Sequence, residues 1–231
     1  MKSTVINPSG EAPAGLPRPN SLAGSVYDAI FAQLMSLQIP PGARITVDSL
    51  VRELNVSHTP IREALGRLEG EGLVLRAHLV GYRAAPQVSR DQFDELYELR
   101  LMLEPEAAAK AAARMDEAGL RALEQLAGVM ASTNDGDDER LRYSDFARQD
   151  AEFHDKILAI AGNGLMRDVL RTQHTHFHIF RLMYHRTVTA EALDEHEALL
   201  EALRRGDPQQ AREAMRAHIQ NSRTRLLPAF L

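Results

Sequence analysis

Asn55-Val-Ser-His-Thr-Pro-Ile-Arg-Glu-Ala-Leu-Gly-Arg-Leu-Glu69 is the stretch whose reading decides the fold. Ser57 suits a helix N-cap, and Pro60 falls in the first turn, where its missing N–H has no intrahelical partner to lose. Ile61, Ala64, Leu65 and Leu68 then recur at helical spacing, so one face belongs to a core. The opposite face carries His58, Thr59, Arg62 and Arg67. A shorter helix precedes it over 47–54, with Leu50, Val51 and Leu54 inward, and Asn55-Val56 makes the bend. Two short helices, a tight turn and donors at the leading end of the second helix describe a helix-turn-helix, whose second helix reads the major groove. An ordinary helical hairpin is the competing reading.

Working outward, Leu22 to Leu37 forms an amphipathic helix with Leu22, Val26, Ile30, Phe31 and Leu34 on its apolar face, and the Pro41-Gly42 pair after it forces a turn. Beyond Glu69, Gly70 and Gly72 end the recognition helix. Two short strands follow, 73–76 and 81–84, separated by a four-residue tip at 77–80. A hairpin in that place is a wing, so the unit reads as a winged helix over 21–86. Its expected DNA contacts are Ser57, His58, Thr59 and Arg62 at the leading turns, with His78 and Gly81 at the wing; a solvated loop histidine is the plainer reading of His78. Residues 1–20, interrupted by Pro8, Pro13, Pro17 and Pro19, read as a disordered arm without a signal-peptide core.

Charge does not decide the matter. The net charge is −5, yet residues 1–85 hold 8 Lys/Arg against 7 Asp/Glu, and the remainder holds 19 against 25. Counterion release needs cations at the interface, not a basic whole. No cysteine is present, which removes disulfides and thiolate metal sites and fits a reducing cytoplasm. No apolar run is long enough to cross a membrane.

From Ser89 onward helical periodicity takes over. The expected helices are 89–114, 116–132, 139–161, 163–186, 190–205 and 208–226, giving a mainly α chain: a winged head followed by an antiparallel helical bundle over 89–227. Several ionisable groups fall on apolar stripes of this bundle. Asp150 shares a face with Phe146, Phe153 and Ile157, and His154 lies one turn on. His196 sits among Leu193, Leu200 and Leu203, and His218 among Ala211, Ala214 and Ser222. Buried groups of this kind need partners. His196 lies 11 residues before Asp207 and His218 lies 11 after it, so a hairpin turn near Asp207 brings both to one height, about 16 Å from the turn. Asp150, His154, His196 and His218 can then converge on a divalent transition metal: Zn, Ni, Mn or Fe. Four separately satisfied side chains are the alternative. Arg100 also falls on an apolar stripe, placed either to pair with Glu104 or Glu106 or to clamp a ligand carboxylate. His174, His176 and His178 are dense enough to note: His174 and His178 share a face with Arg171 and Arg181, either lining the same cavity or forming a polar surface.

Taken together, P-P-G-A-R-I (40–45), L-V-R-E-L-N-V-S-H-T-P-I-R-E-A-L-G-R-L-E-G-E-G-L-V (50–74), G-Y (81–82), E-L-Y-E-L-R-L-M-L-E (95–104), D-A-E-F-H (150–154), A-G-N (161–163), E-H-E-A-L-L-E-A-L (195–203) and A-H-I (217–219) resemble a GntR-type transcriptional regulator of the FadR-like subgroup with an FCD effector domain. The resemblance covers about 20–226. It implies a homodimeric repressor that binds a palindromic operator, with Asp150, His154, His196 and His218 on a divalent metal that helps hold a small organic acid, and an arginine such as Arg100 on that carboxylate effector. One departure stands out. The family usually carries arginine where this chain has His58, which has shorter reach and fewer donors, so base preference there differs. A metalloenzyme using the Asp/His₃ site and an effector-independent DNA-binding protein with a structural metal are the rival readings. The absence of a general-base or nucleophile motif near the ligands speaks against an enzyme.

Overall fold

The computed structural model describes residues 22–77, 81–132, 139–182 and 187–230. The arm at 1–20, the wing-tip residues 78–80 with His78, the acidic break at 134–138 and the end of the expected fourth bundle helix at 183–186 therefore lie outside the described residues.

The head starts with α1 (Leu22–Met35), which buries Val26, Ile30, Phe31, Leu34 and Met35. A two-residue strand β1 (Arg44–Ile45) precedes α2 (Val47–Leu54), which is capped by Thr46 accepting from the Ser49 N–H. Asn55, in the left-handed conformation, makes the bend into α3 (His58–Gly70). Asparagine tolerates that region better than other side chains do. The apolar face of α3 is fully inward: Ile61, Ala64, Leu65 and Leu68 are buried against α1. Ser57 occupies the N-cap position but makes no side-chain cap hydrogen bond.

The hairpin β2 (Val74–Ala77) and β3 (Gly81–Ala84) forms the wing. The sheet has a third member that periodicity did not mark: β1 pairs antiparallel with β3, Ile45 opposite Tyr82, giving the order β1-β3-β2. Two residues are too few for an alternation to register in the sequence.

The body consists of α4 (Arg90–Arg114), α5 (Glu117–Ser132), α6 (Glu139–Ala161), α7 (Gly164–Thr172), α8 (Thr175–Phe180), α9 (Thr187–Arg204) and α10 (Pro208–Leu226). A capping box of Ser89 and Gln92 starts α4. Asp207 caps α10, accepting from the N–H groups of Gln209 and Gln210, and Pro208 opens that helix. The α9–α10 hairpin turns at this cap, and α10 lies along α4 and α9, while α6 packs on α4, α5 and α1.

One element departs from expectation. The single helix read over 163–186 is two helices, α7 and α8, parted at Gln173-His174 with His174 at φ 45°. Neither glycine nor proline marks the break, so nothing local announces it. The turn lays α8 against α6 and brings His174, Phe177 and His178 to the head. The His174 ring lies 3.2 Å from where a Cβ on Gly72 would stand, and His178 lies 3.7 Å from it. Gly72 itself sits at φ +68°, so two independent constraints hold that position to glycine.

Head and body are joined by more than the linker. Phe31 of α1 meets Phe177 of α8 edge-on at 5.2 Å between ring centroids, and the Arg148 guanidinium of α6 lies 4.8 Å above the Phe31 ring while bonding Asp28. Arg67 was expected beside the other outward donors of α3. It is exposed, and its guanidinium lies 4.0 Å over the ring of Tyr27 in α1, whose hydroxyl donates to Glu71. A cavity of about 480 Å³ lies between the two parts, with Tyr27, Arg67, Arg148 and His176 in its lining.

Candidate metal centre and DNA-reading face

Each of the four expected ligands arrives at the bundle interior from an element whose local sequence places it there. Asp150 and His154 are one turn apart on α6, His196 is on α9 and His218 is on α10. All four are buried, and each offers a ligand atom within 4.8 Å of the others. Ligand atoms around a tetrahedral ion with bonds of about 2.1 Å stand about 3.4 Å apart, so these atoms would draw together by up to about 1.4 Å to hold one. The two histidines equidistant from Asp207 do meet, with ring centroids 4.7 Å apart. His154 stands 5.1 Å from His218 and 5.5 Å from His196.

Hydrogen bonding on the outer sides of the rings decides what faces the centre. His154 donates from Nδ1 to Glu104 Oε2 at 2.6 Å, and His218 donates from Nδ1 to Glu195 Oε2 at 2.8 Å. A carboxylate on Nδ1 fixes the tautomer and leaves the Nε2 lone pair pointing inward, the arrangement that metal-bound imidazoles share. His154 Nε2 and both ring nitrogens of His196 are buried without a hydrogen-bond partner. His196 Nε2 lies 3.3 Å from Asp150 Oδ1, and His154 Nε2 lies 4.0 Å from the same oxygen. Orphaned nitrogens in a dry interior cost free energy unless something accepts their lone pairs, and a cation does so. The donor set, three imidazoles and a carboxylate with no thiolate, suits Zn, Ni, Mn or Fe.

The electrostatics agree. Burial lowers His154 to about 3, overriding the raising effect of Glu104, and lowers His218 to about 4, so both rings are neutral. Burial alone would raise Asp150, but the hydrogen bond from His176 and the nearby His196 imidazole hold it well below the usual carboxylate range. Glu195 is held at about 2 by His218 and Arg225 against the opposing effect of burial. Glu104 remains ionised because the Arg100 guanidinium lies against it.

Arg100 takes the pairing alternative. Its Nε bonds Glu104 Oε1 at 2.6 Å and its Nη2 bonds Glu104 Oε2 at 3.4 Å, both partners being fully buried, while Glu106 faces Arg212 instead. Its charge still reaches the centre, lowering His218 and being stabilised by Asp150.

Two participants escaped the sequence reading. Glu104 appeared there only as a partner for Arg100, and it turns out to bridge Arg100 and His154. His176 is the stronger case: its Nδ1 bonds Asp150 Oδ2 at 2.7 Å, and its ring lies 4.5 Å from that of His154. The stripe read on a continuous helix joined His174 with His178; the break before α8 sends those two to the head and His176 to the centre. A second group able to hold a metal, Glu104 with His154 and His176, shares His154 with the first. It is the poorer site, because Glu104 already binds Arg100 and the His154 Nδ1 proton.

On the head, Ser57, His58, Thr59 and Arg62 are all exposed along the start of α3, and Gly81 is exposed at φ +99° where the wing returns. Among the described residues, His58 Nε2 is held at 2.9 Å by Asp48 of α2. The imidazole in the family's arginine position is thus tied sideways to the neighbouring helix. Thr59 and Arg62 present free donors at the same edge.

Comparison with known proteins places these parts. Residues 95–221 match the FCD domain, and residues 22–83 match the bacterial regulatory proteins of the gntR family. The chain is 26% identical over 208 residues to the HTH-type transcriptional regulator YdhC of Bacillus subtilis, covering 88% of this chain and 90% of that one. It is 25% identical over 203 residues to a probable D-xylose utilization operon transcriptional repressor of Paenarthrobacter nicotinovorans, with 86% of each covered. Among solved structures, E. coli McbR/YncC superposes with a TM-score of 0.66 at 22% identity, over 91% of this chain and 99% of that one.

Proposed function

The chain belongs to the GntR-type bacterial regulators with an FCD domain, and we propose that it is a metal-dependent, acid-responsive repressor acting as a homodimer on a palindromic operator. As a member of that family it is a DNA-binding transcriptional regulator and not an enzyme, which disposes of the metalloenzyme reading. Among the described residues, no helix is long and apolar enough to cross a membrane.

One observation supports the metal half above the others: three buried imidazoles and a carboxylate converge, with two of the rings tethered on their far sides by carboxylates. Asp150, His154, His196 and His218 would hold the ion. A bound divalent cation would supply a Lewis-acidic position for the carboxylate of a small organic acid, and the Arg100 charge nearby would favour an anion there. Four protein ligands leave a transition metal able to accept a further donor. Ser57, His58, Thr59 and Arg62 at the edge of α3, with His78 and Gly81 of the wing, would contact DNA, two heads of a dimer meeting two half-sites. Repression follows the relative named as a repressor.

The direct test is metal analysis of His196→Ala beside the wild type. The expected result is about one divalent ion per wild-type chain and none retained by the variant after dialysis. Equal metal content in the two proteins overturns the four-ligand site.

A further inference from the structure

We propose that His176 is a positioning residue for the ligand carboxylate Asp150, and that α8, which carries it, passes the loading state of the metal centre to the head. The inference rests on the metal-binding reading above.

Asp150 divides its two oxygens between two tasks. Oδ2 accepts the hydrogen bond from His176 Nδ1 at 2.7 Å, while Oδ1 faces His196 Nε2 at 3.3 Å and His154 Nε2 at 4.0 Å. The oxygen left for an ion is therefore the one that α8 does not use, and its aim depends on α8. An ion drawing on Oδ1 moves the carboxylate, and the His176 bond must move with it or break.

The next residues of the same short helix touch the head. Phe177 is edge-on to Phe31 of α1, and His174 and His178 cover Gly72 at the end of the recognition helix. Arg181, directly after α8, donates from Nη2 to the Ala85 carbonyl in the head–body linker. Gln87 of that linker returns two bonds to the Arg181 and Leu182 carbonyls at 3.0 and 2.8 Å. Arg181 is buried, with Nε and Nη1 lacking partners, so little besides the linker holds its guanidinium.

A six-residue helix has almost no stability of its own, and its position is set by what it packs against. Here that is α6 on one side, through the Asp150 bond, the Tyr143 hydroxyl on the Phe180 carbonyl and the Phe180 ring against Tyr143 and Phe146, and α1, Gly72 and the linker on the other. Communication between distant sites requires an element whose placement both sites bias. Among the described residues α8 joins these two sets of contacts within eight consecutive positions, 174–181. Its left-handed start at His174 frees it from the course of α7.

Hydrogen–deuterium exchange of the full chain, with and without zinc, tests this. In the wild type, zinc is expected to slow exchange at least threefold in peptides covering 150–154 and 175–180, and also in head peptides covering 22–35 and 58–73. His176→Ala should still take up zinc, more weakly, with the head response gone. His176→Asn, whose amide can donate from nearly the Nδ1 position, should restore part of it, a recovery that loss of packing alone would not give. Phe177→Ala is the companion variant, because it leaves the bond to Asp150 in place: protection should persist at the centre and vanish from α1 and α3. Zinc uptake by the wild type with an unresponsive head overturns the inference alone, as does an undiminished head response in both His176→Ala and Phe177→Ala. No zinc uptake by the wild type overturns the metal reading and this inference together.

Discussion

The recognition edge of α3 and the centre of the bundle both collect polar side chains, and they treat them in opposite ways. At the edge, Ser57, His58, Thr59 and Arg62 stand in solvent, and the hydrogen bond between His58 and Asp48 is itself exposed. In the bundle, Arg100, Glu104, Asp150, His154, His196 and His218 are all buried: Arg100, Glu104 and His154 are bonded in a chain, Asp150 bonds His176, and His218 bonds Glu195. The difference teaches where each group's free energy goes. Exposed donors cost the fold nothing and are kept for a partner; buried charges are costly to desolvate, so each one needs its neighbours in order to be tolerated at all. Substitution should therefore uncouple binding from stability in the head and join them in the bundle.

Glu104 carries the largest expected effect. Its carboxylate is the shared anion of Arg100 and His154, and Glu104→Ala leaves a fully buried guanidinium without its counter-charge. Removing one partner of a buried pair costs about 3–5 kcal/mol, a large part of a domain's total stability. Urea unfolding of the variant should show that loss, together with weaker metal binding as the His154 ring loses its tether. A loss below about 1 kcal/mol would mean that water reaches Arg100, and the contrast with the head would collapse.

Arg62→Ala is the counterpart in the head. The side chain is exposed and pairs with nothing among the described residues, so stability should change by no more than about 0.5 kcal/mol. Operator affinity should fall by about 1–3 kcal/mol, which is about 5- to 150-fold. Fluorescence anisotropy against an operator selected from random DNA measures one quantity, and thermal unfolding measures the other. A variant that binds normally removes Arg62 from the interface.

The two regions were also unequally legible in the sequence. Helix periods, the glycine and proline breaks, and the inward face of α3 follow from local pattern, because each depends on residues within a turn or two. The Asp150/His154 pair and the His196/His218 match across Asp207 could be worked out for a related reason: helix geometry and one tight turn fix the distances. What could not be read depended on packing between distant parts. The α7–α8 break at His174 has no local signal, so nothing in the sequence assigned His176 to Asp150, and the stacking of Arg67 on Tyr27 across α1 and α3 was equally out of reach. Strand β1 is two residues long and exists only by pairing with β3. Glu195 stood in the sequence only as part of the E-H-E motif; its role in tethering His218, with Arg225 also bonded to it, depends on how α10 lies against α9.

The smallest effect separates the two helices of the reading unit. Sequence alone marks Ser57 as a cap, a serine ahead of a first-turn proline, and an N-cap hydroxyl is usually worth about 1 kcal/mol. The structure moves that contribution to the other helix: Thr46 Oγ1 accepts from the Ser49 N–H at 3.2 Å and donates to Ser49 Oγ, while Ser57 makes no cap bond. Pro60, third in α3, explains part of this, because the N3 position has no N–H for a capping oxygen to receive. Thr46→Ala should accordingly lower stability by about 1 kcal/mol, and Ser57→Ala by less than about 0.5 kcal/mol. In operator binding the order should reverse, since Ser57 stands at the exposed edge beside Thr59 and Arg62, and Thr46 is half-buried behind it. Equal stability losses in the two variants would show that the Ser57 hydroxyl is capping after all, and its oxygen would then be committed to the helix instead of to a phosphate.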